Sequence, residues 1–279
     1  MGVSKFYMKK NSKKPRIDKY GLCLNEYENN FNNAKVYFDR AVGKKPEMEV
    51  SKAMANIIKK KIKKNDHILD VGCACGHYYR SIKKRVKKNF YYTGTDPYKI
   101  FLDKANIAWK NDPNVSFTKG NIYKLPFKKN QFDLLICSNV FIHLNEVRKP
   151  LREVLRVTKK TLVIRTVLYD VAYKVQLVYN KNWWKNTDVK AKDEFDNKGN
   201  PRAFSYFNIL SKDFLIETIK DIDPKAKVTL IKDNFYSKKR INESVKKEKR
   251  PLATRIIGDE QFSGALMQPH YFVVINKSQ

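Results

Sequence analysis

Acid is scarce in this 279-residue sequence: 28 Asp and Glu stand against 58 Lys and Arg, a formal net charge of +30 at pH 7. The imbalance suits acidic cargo and anionic partners. Lys far outnumbers Arg, however, and Asn and Ile are abundant, a bias that genomic base composition produces as readily as function does. A nucleic-acid reader would concentrate Arg, whose planar fork matches phosphates and base edges. Cysteine is also scarce. Cys23, Cys73, Cys75 and Cys137 are too few and too irregularly spaced for a disulfide framework, which points to a reducing compartment and to the cytoplasm. Cys73-Ala74-Cys75 has no second Cys or His pair at zinc-site spacing, so no metal is expected. Long apolar runs are missing. Nowhere do about eighteen apolar residues stand together, and no apolar stretch follows the basic start, so a soluble chain without a membrane span or signal peptide is expected. The 42% apolar share still suffices for a sizeable core and excludes full disorder. No repeat of solenoid period is present.

Periodicity supplies the organisation. Val50, Ala53, Met54, Ile57, Ile58 and Ile62 recur at helical spacing, and a lysine run closes that helix. A short apolar run, residues 67–71, leads into Gly72-Cys73-Ala74-Cys75-Gly76, after which Tyr79, Ile82 and Val86 resume the helical spacing. The alternation continues. Strand-like runs at 90–95, 115–118, 132–137 and 162–167 are separated by helical stripes at 101–109 and at Val147, Leu151, Val154 and Leu155. Strands alternating with helices require crossovers, so the reading is a doubly wound α/β domain with a mostly parallel sheet. Past Tyr169 an aromatic set interrupts the rhythm: Tyr173, Tyr179, Trp183, Trp184, Phe195, Phe204, Tyr206 and Phe207. This is read as an inserted cap. Ser211 is placed as the N-cap of a last crossover helix, with Asp213 in its first turn and Phe214, Leu215 and Ile219 inward. Strands at 228–231 and 271–275 close the sheet as antiparallel neighbours, separated by the basic stretch Lys238 to Arg250.

Two acids mark the candidate site. Asp70 ends one strand two residues before Gly72, and Asp96 ends the next strand 26 residues later. A glycine turn between strand and helix lets backbone approach a ligand, and an acid at the second strand end can accept both hydroxyls of a ribose. A dinucleotide and a nucleoside cofactor both satisfy this pattern. A pyrophosphate needs donors at the helix N-terminus, whereas an ammonium group needs a carboxylate or carbonyls near the loop, and Asp70 supplies that carboxylate.

The sequence resembles the class I S-adenosylmethionine-dependent methyltransferases. The resemblance is carried, over residues of about 50–165, by Ile68-Leu69-Asp70-Val71-Gly72-Cys73-Ala74-Cys75-Gly76, Tyr92-Thr93-Gly94-Thr95-Asp96, Gly120-Asn121-Ile122, Leu125-Pro126-Phe127, Phe132-Asp133-Leu134-Leu135 and Ser138-Asn139-Val140-Phe141-Ile142-His143-Leu144. It implies a seven-stranded sheet with an antiparallel last strand, a Rossmann-like methyltransferase fold. The expected organisation is a domain over 16–279 behind an arm at 1–15 that its Lys- and Ser-rich composition marks as mobile: a cofactor core at about 50–165, a substrate cap at about 168–210, and C-terminal strands with a basic loop at about 211–279.

Carried over by position, Asp70, Gly72, Cys73 and Gly76 would contact the methionine part of S-adenosylmethionine, Asp96 the ribose, Pro97 an adenine face, and Asn121 and Ile122 its edge. Ser138 would line the floor, with Phe141 and His143 beyond it. Ala74 stands where the family commonly has glycine and Asn121 where it commonly has aspartate. Tyr37-Phe38-Asp39-Arg40-Ala41 resembles a segment that folds over the cofactor, where Tyr37 could stack and Arg40 meet the cofactor carboxylate; an ordinary helix packed on the core explains it equally well.

The family's chemistry is mainly one of positioning a nucleophile. For a hydroxyl acceptor His143 is the candidate general base, having a suitable intrinsic pKa and a place just past the fourth strand; packing beside the cofactor is its other reading. The aromatic cap suits a small polar metabolite or glycan precursor, and O-methylation of such an acceptor is the leading reading. An RNA methyltransferase is the first alternative, on charge and stacking aromatics. Against it, Cys137-Ser138-Asn139-Val140 lacks the Asp/Asn-Pro-Pro-aromatic pattern that holds a base amine, and the lysines are dispersed. A binding module that keeps the fold without turnover is the second.

Overall fold

Parallel strands form the centre of the computed structural model, which describes residues 17–22, 31–178, 194–237, 241, 254–263 and 266–278. β1 (Asp66–Val71), β2 (Phe90–Asp96), β3 (Val115–Lys119), β4 (Phe132–Ser138) and β5 (Thr158–Tyr169) lie in the order β3-β2-β1-β4-β5. Crossovers between them use α3 (His77–Arg85), α4 (Lys99–Trp109) and α5 (Arg148–Val157), while α1 (Phe31–Ala41) and α2 (Glu49–Ile58) precede the sheet. The middles of β1 and β4, at Ile68 and Leu69 and at Leu134, Leu135 and Ile136, are apolar on both sides because both faces of the sheet are covered there. Ile68, Leu134 and Ile136 share one cluster with Met54 and Ile58 of α2 and Ile82 of α3. Their strand neighbours Leu69 and Leu135 belong to the opposite cluster, with Leu151, Val154 and Leu155 of α5. Each such side chain contributes roughly 1.5–3 kcal/mol on full burial. Pro150 sits in the first turn of α5, where its missing N–H costs nothing.

The strand order reverses between β1 and β4, and in open α/β sheets ligands bind at the carboxyl ends beside such a point. On the far side, α6 (Lys212–Ile222) leads to β8 (Lys227–Lys232), and β12 (His270–Asn276) runs antiparallel between β5 and β8. Seven strands on one path with an antiparallel last strand match the expected fold. Ser211 caps α6, accepting the Phe214 N–H at 3.2 Å. Ser211→Ala is expected to lower stability by about 1 kcal/mol, measured by denaturant titration. Leu215 and Ile219 are buried, but Phe214 is 38% exposed, since a residue one step from that stripe points about 100° away from it.

Two features depart from the sequence reading. The segment read as a cap contributes β6 (Tyr173–Val178) and β7 (Phe204–Ser211), an antiparallel pair whose second strand joins the end of β5 in parallel. It therefore extends the sheet; Tyr179, Trp183 and Trp184 lie outside the described residues. Residues 254–263 with 266 and 267 form a small sheet of β9 (Thr254–Ile257), β10 (Glu260–Ser263) and β11 (Leu266–Met267), which was not expected from the sequence. The arm at 1–15 and all of Lys238 to Arg250 except Ile241 also lie outside the described residues. No helix among the described residues is long and apolar enough to cross a membrane.

Candidate cofactor and acceptor site

The turn from β1 into α3 is wound through left-handed backbone, with φ of +78° at Gly72, +47° at Ala74 and +70° at Gly76. Gly72 is required twice over, because a Cβ there would also strike Val140 of the β4 turn. At Gly76 a Cβ would come within 2.8 Å of Phe117 and Trp109, so this glycine lets α3 pack on the sheet. The Gly72 and Cys73 N–H groups both donate to the Thr95 carbonyl, at 2.8 and 3.1 Å, which ties the turn to the end of β2.

Asp96 completes that tie. Its Oδ2 accepts the Ala74 N–H at 3.1 Å and its Oδ1 the Tyr98 N–H at 3.0 Å, so the acid holds the one non-glycine left-handed residue of the turn. The carboxyl is 5% exposed, and burial pushes its pKa up to about 6 against the pull of the two amides. Each oxygen keeps acceptor capacity for a further donor.

Asp70 differs. It is buried beneath the turn, accepts a hydrogen bond from the Tyr92 hydroxyl at 2.5 Å, and is pushed up to about 7 by burial, with Asp96 adding to the rise and Tyr92 opposing it.

A cavity of about 600 Å³ opens over these strand ends, within the roughly 300–1,000 Å³ of small-molecule sites. Of the residues singled out from sequence, Tyr37, Gly72, Asp96, Pro97, Asn121, Ile122, Ser138 and His143 line it. Asp70, Cys73, Gly76, Arg40 and Phe141 do not. Cys73 is buried, its Sγ lying where a Cβ on Gly94 would come to 2.7 Å. Phe141 is wholly buried in the core. Arg40 lies with Nη1 3.2 Å from Met48 Sδ, and its carbonyl accepts Arg80. Tyr37 stacks on His77 at 4.8 Å and 12°. The Asn121 side-chain oxygen accepts the Tyr123 N–H at 3.0 Å, a local turn that the sequence reading did not include. His270, the first residue of β12, is buried and does not line the cavity.

At the other end, Ser138 and Tyr78 share a hydrogen bond of 2.7 Å between their hydroxyls. His143 follows on the short 3₁₀ turn Phe141–His143, and its Nδ1 lies 3.0 Å from the Tyr206 carbonyl. A carbonyl only accepts, so Nδ1 carries the proton and the lone pair of the neutral ring sits on Nε2. Burial holds the His143 pKa below the ordinary imidazole value, against the pull of that bond. Phe204, Ser205 and Tyr206 of β7 line this half of the cavity.

Two contributions went unrecognised in the sequence. Asp18 and Leu22 line the cavity from residues 17–22, where Asp18 Oδ1 accepts the Tyr20 and Leu22 N–H groups and Tyr20 stacks on Tyr123 at 4.4 Å. Asp18-Lys19-Tyr20-Gly21, an Asx turn ending in a glycine of φ +78°, was the available signal. The other is Asn139, a cavity residue at φ +60° whose side-chain oxygen accepts Arg165 Nη1 at 2.5 Å.

Residues 68–161 match the family model described as a methyltransferase domain. That segment carries a methyltransferase domain. An uncharacterized methyltransferase of Schizosaccharomyces pombe is 39% identical over 108 residues, 36% of this chain and 38% of that protein. The match thus spans well under half of the yeast protein's length. An uncharacterized protein of Methanocaldococcus jannaschii is 28% identical over 221 residues, 77% of this chain and 74% of its own. Among solved structures, an S-adenosylmethionine-dependent methyltransferase from Mesorhizobium loti has a TM-score of 0.50 at 12% identity, covering 80% of this chain and 96% of that one. The [4+2]-cyclase SpnF also has a TM-score of 0.50, at 14% identity, covering 81% and 80%. At such identities the likeness is one of fold, and the fold hosts more than one chemistry.

The cavity suits S-adenosylmethionine: a buried acid held by two main-chain amides at one end, bare backbone at Gly72 in the middle, and an apolar wall at Pro97 and Ile122.

Proposed function

We propose that this protein methylates a hydroxyl of a small polar metabolite or glycan precursor, in the cytoplasm, by in-line displacement. The observation that carries this reading is that a single cavity joins the Asp96 carboxylate to the His143 imidazole. Asp96 accepts the two ribose hydroxyls, Pro97 covers an adenine face, Asn121 and Ile122 meet the adenine edge, and Tyr37, the Gly72 backbone and Ser138 border the methionine part. S-adenosylmethionine, when bound, supplies a methyl group activated by its sulfonium. Asp70, Cys73, Gly76, Arg40 and Phe141 shape the turn and its cover without touching the cofactor.

His143 accepts the hydroxyl proton at Nε2. Its Nδ1–H bond to Tyr206 fixes ring orientation and strengthens as the ring gains charge. The depressed pKa keeps the ring neutral, and so able to act, at neutral pH. Phe204 and Tyr206 offer aromatic faces to a sugar-like ring, and the cationic surface draws in an anionic acceptor.

Transfer of labelled methyl to a fractionated cell extract tests the reading. The label should survive nuclease and protease and stay with small or glycosidase-sensitive material; release by nuclease would install RNA as the acceptor. His143→Gln should lower kcat/KM by about 10²–10⁴-fold. With S-adenosylmethionine saturating at every pH, it should also abolish the acid limb of the pH profile, where activity falls as His143 gains a proton below the ordinary imidazole range, while leaving cofactor affinity within about twofold.

A further inference from the structure

Arg165 of β5 and Asp233, just past β8, form an ion pair with only 5% and 4% of their surfaces exposed. Arg165 Nε and Nη2 both reach Asp233 Oδ2 at 2.7 Å, and the guanidinium lies over the Phe272 ring at 5.9 Å. Asp233 is fixed in turn: its N–H donates to the His270 carbonyl at 2.8 Å, and its carbonyl accepts Gln261 Nε2 at 3.3 Å. Burying such a pair is costly, and apolar residues of equal volume often serve stability as well. What they would not supply is the remaining arm of the fork. Arg165 Nη1 donates to Asn139 Oδ1, and the Arg165 carbonyl accepts the Asn139 N–H at 2.9 Å, holding Asn139 in its left-handed conformation.

This arrangement fixes the polarity of an amide. A guanidinium only donates, so Oδ1 must face Arg165 and the Nδ2 hydrogens must point elsewhere. Asn139 stands between Ser138 and Val140 on the cavity wall, in the half that holds His143. We propose that Asn139 is a specificity-determining residue that presents its Nδ2 hydrogens to an oxygen of the acceptor, with Arg165 as the positioning residue that sets the amide. This rests on the acceptor half assigned above. A site built to donate at that point favours acceptors with a hydroxyl, carbonyl, carboxylate or phosphate oxygen beside the reacting group, and rejects those lacking it.

Asn139→Asp isolates the claim. It keeps the shape and strengthens the contact to Arg165, yet replaces the donor pair by an anion. Methyl transfer to the extract's acceptor fraction, at limiting acceptor, should fall at least tenfold through KM, with the melting temperature not lowered and S-adenosylmethionine affinity within twofold. Asn139→Gly, which adopts positive φ without strain, should lose transfer in the same way. Wild-type transfer by both variants would reduce Asn139 to a turn residue and overturn the proposal.

The second readout needs no turnover. In ¹⁵N-labelled protein the Asn139 side-chain cross-peak should exchange with solvent rapidly; a slowly exchanging cross-peak overturns the orientation. Arg165→Lys leaves a cation beside Asp233 but withdraws the fork, and should shift or split that cross-peak, whereas an unmoved one overturns the positioning role. If the wild type labels no fraction at all, the proposed function fails, while the exchange result still decides the orientation of Asn139.

Discussion

Asp96→Ala is expected to weaken S-adenosylmethionine binding by at least a hundredfold. Each carboxylate oxygen already accepts one main-chain N–H, from Ala74 or Tyr98, and is thereby aimed with a lone pair left over. Two vicinal ribose hydroxyls would each gain a charge-assisted bond of about 1.5–3 kcal/mol, and losing both costs upwards of about 3 kcal/mol, or two decades in affinity. The substitution also frees Ala74, whose left-handed backbone carries a penalty of roughly 1–2 kcal/mol and whose N–H loses its acceptor. Calorimetric titration measures the loss, and pH gives it a signature. The carboxyl, pushed up to about 6 by burial, gains a proton as pH falls through that value and loses acceptor strength, so wild-type affinity should drop from pH 8 to pH 5. The variant should lack that dependence. Affinity within threefold of wild type would remove Asp96 from the site.

The parts of this architecture that depend on local pattern were legible in the sequence. β1 and β4 read as apolar runs because the sheet is covered on both faces at Ile68, Leu69, Leu134, Leu135 and Ile136, and the glycine turn announced itself because Gly72 and Gly76 are needed where side chains collide. What stayed hidden depends on distance along the chain. Arg165 and Asp233 are 68 residues apart and look like surface charges until the fold buries both. Which way Asp70 and Asp96 face is equally silent: the two acids end neighbouring strands, yet one looks into the cavity and the other beneath the turn, at Tyr92. β9 and β10 had a usable signal in Gly258-Asp259, a two-residue hairpin connection flanked by the pair Ile257 and Glu260, but the lysine-rich run before them dominated the reading. β6 and β7 read as a cap because their aromatics exceed what an ordinary strand requires, although Phe207 and Ile209 bury their side chains in a small core with Ile142 and Val167.

Asp70→Asn should stabilise the protein, and increasingly so as pH rises. Asp70 is 2% exposed, with Gly94 and Ile136 as its strand neighbours, and burial pushes its pKa up to about 7, far above the roughly 3.9 of an unfolded chain. A carboxyl raised in this way favours the folded state fully only below its unfolded pKa. Between about pH 4 and pH 7 the unfolded chain has released the proton and the folded chain has not, so stability falls with rising pH until both are ionised. Asparagine never titrates, and its oxygen can still accept the Tyr92 hydroxyl. The advantage of the variant should therefore grow by about 2 kcal/mol between pH 5 and pH 8, several degrees in melting temperature. Thermal unfolding of both proteins at pH 5, 6.5 and 8 measures it. A pH-independent difference would mean that Asp70 titrates as an ordinary carboxylate. Cofactor titration of the same variant separates the two roles open to this acid. A residue that only supports the turn leaves affinity within about fivefold, whereas a loss above about thirtyfold would return to Asp70 the ammonium contact that its place in the sequence suggests.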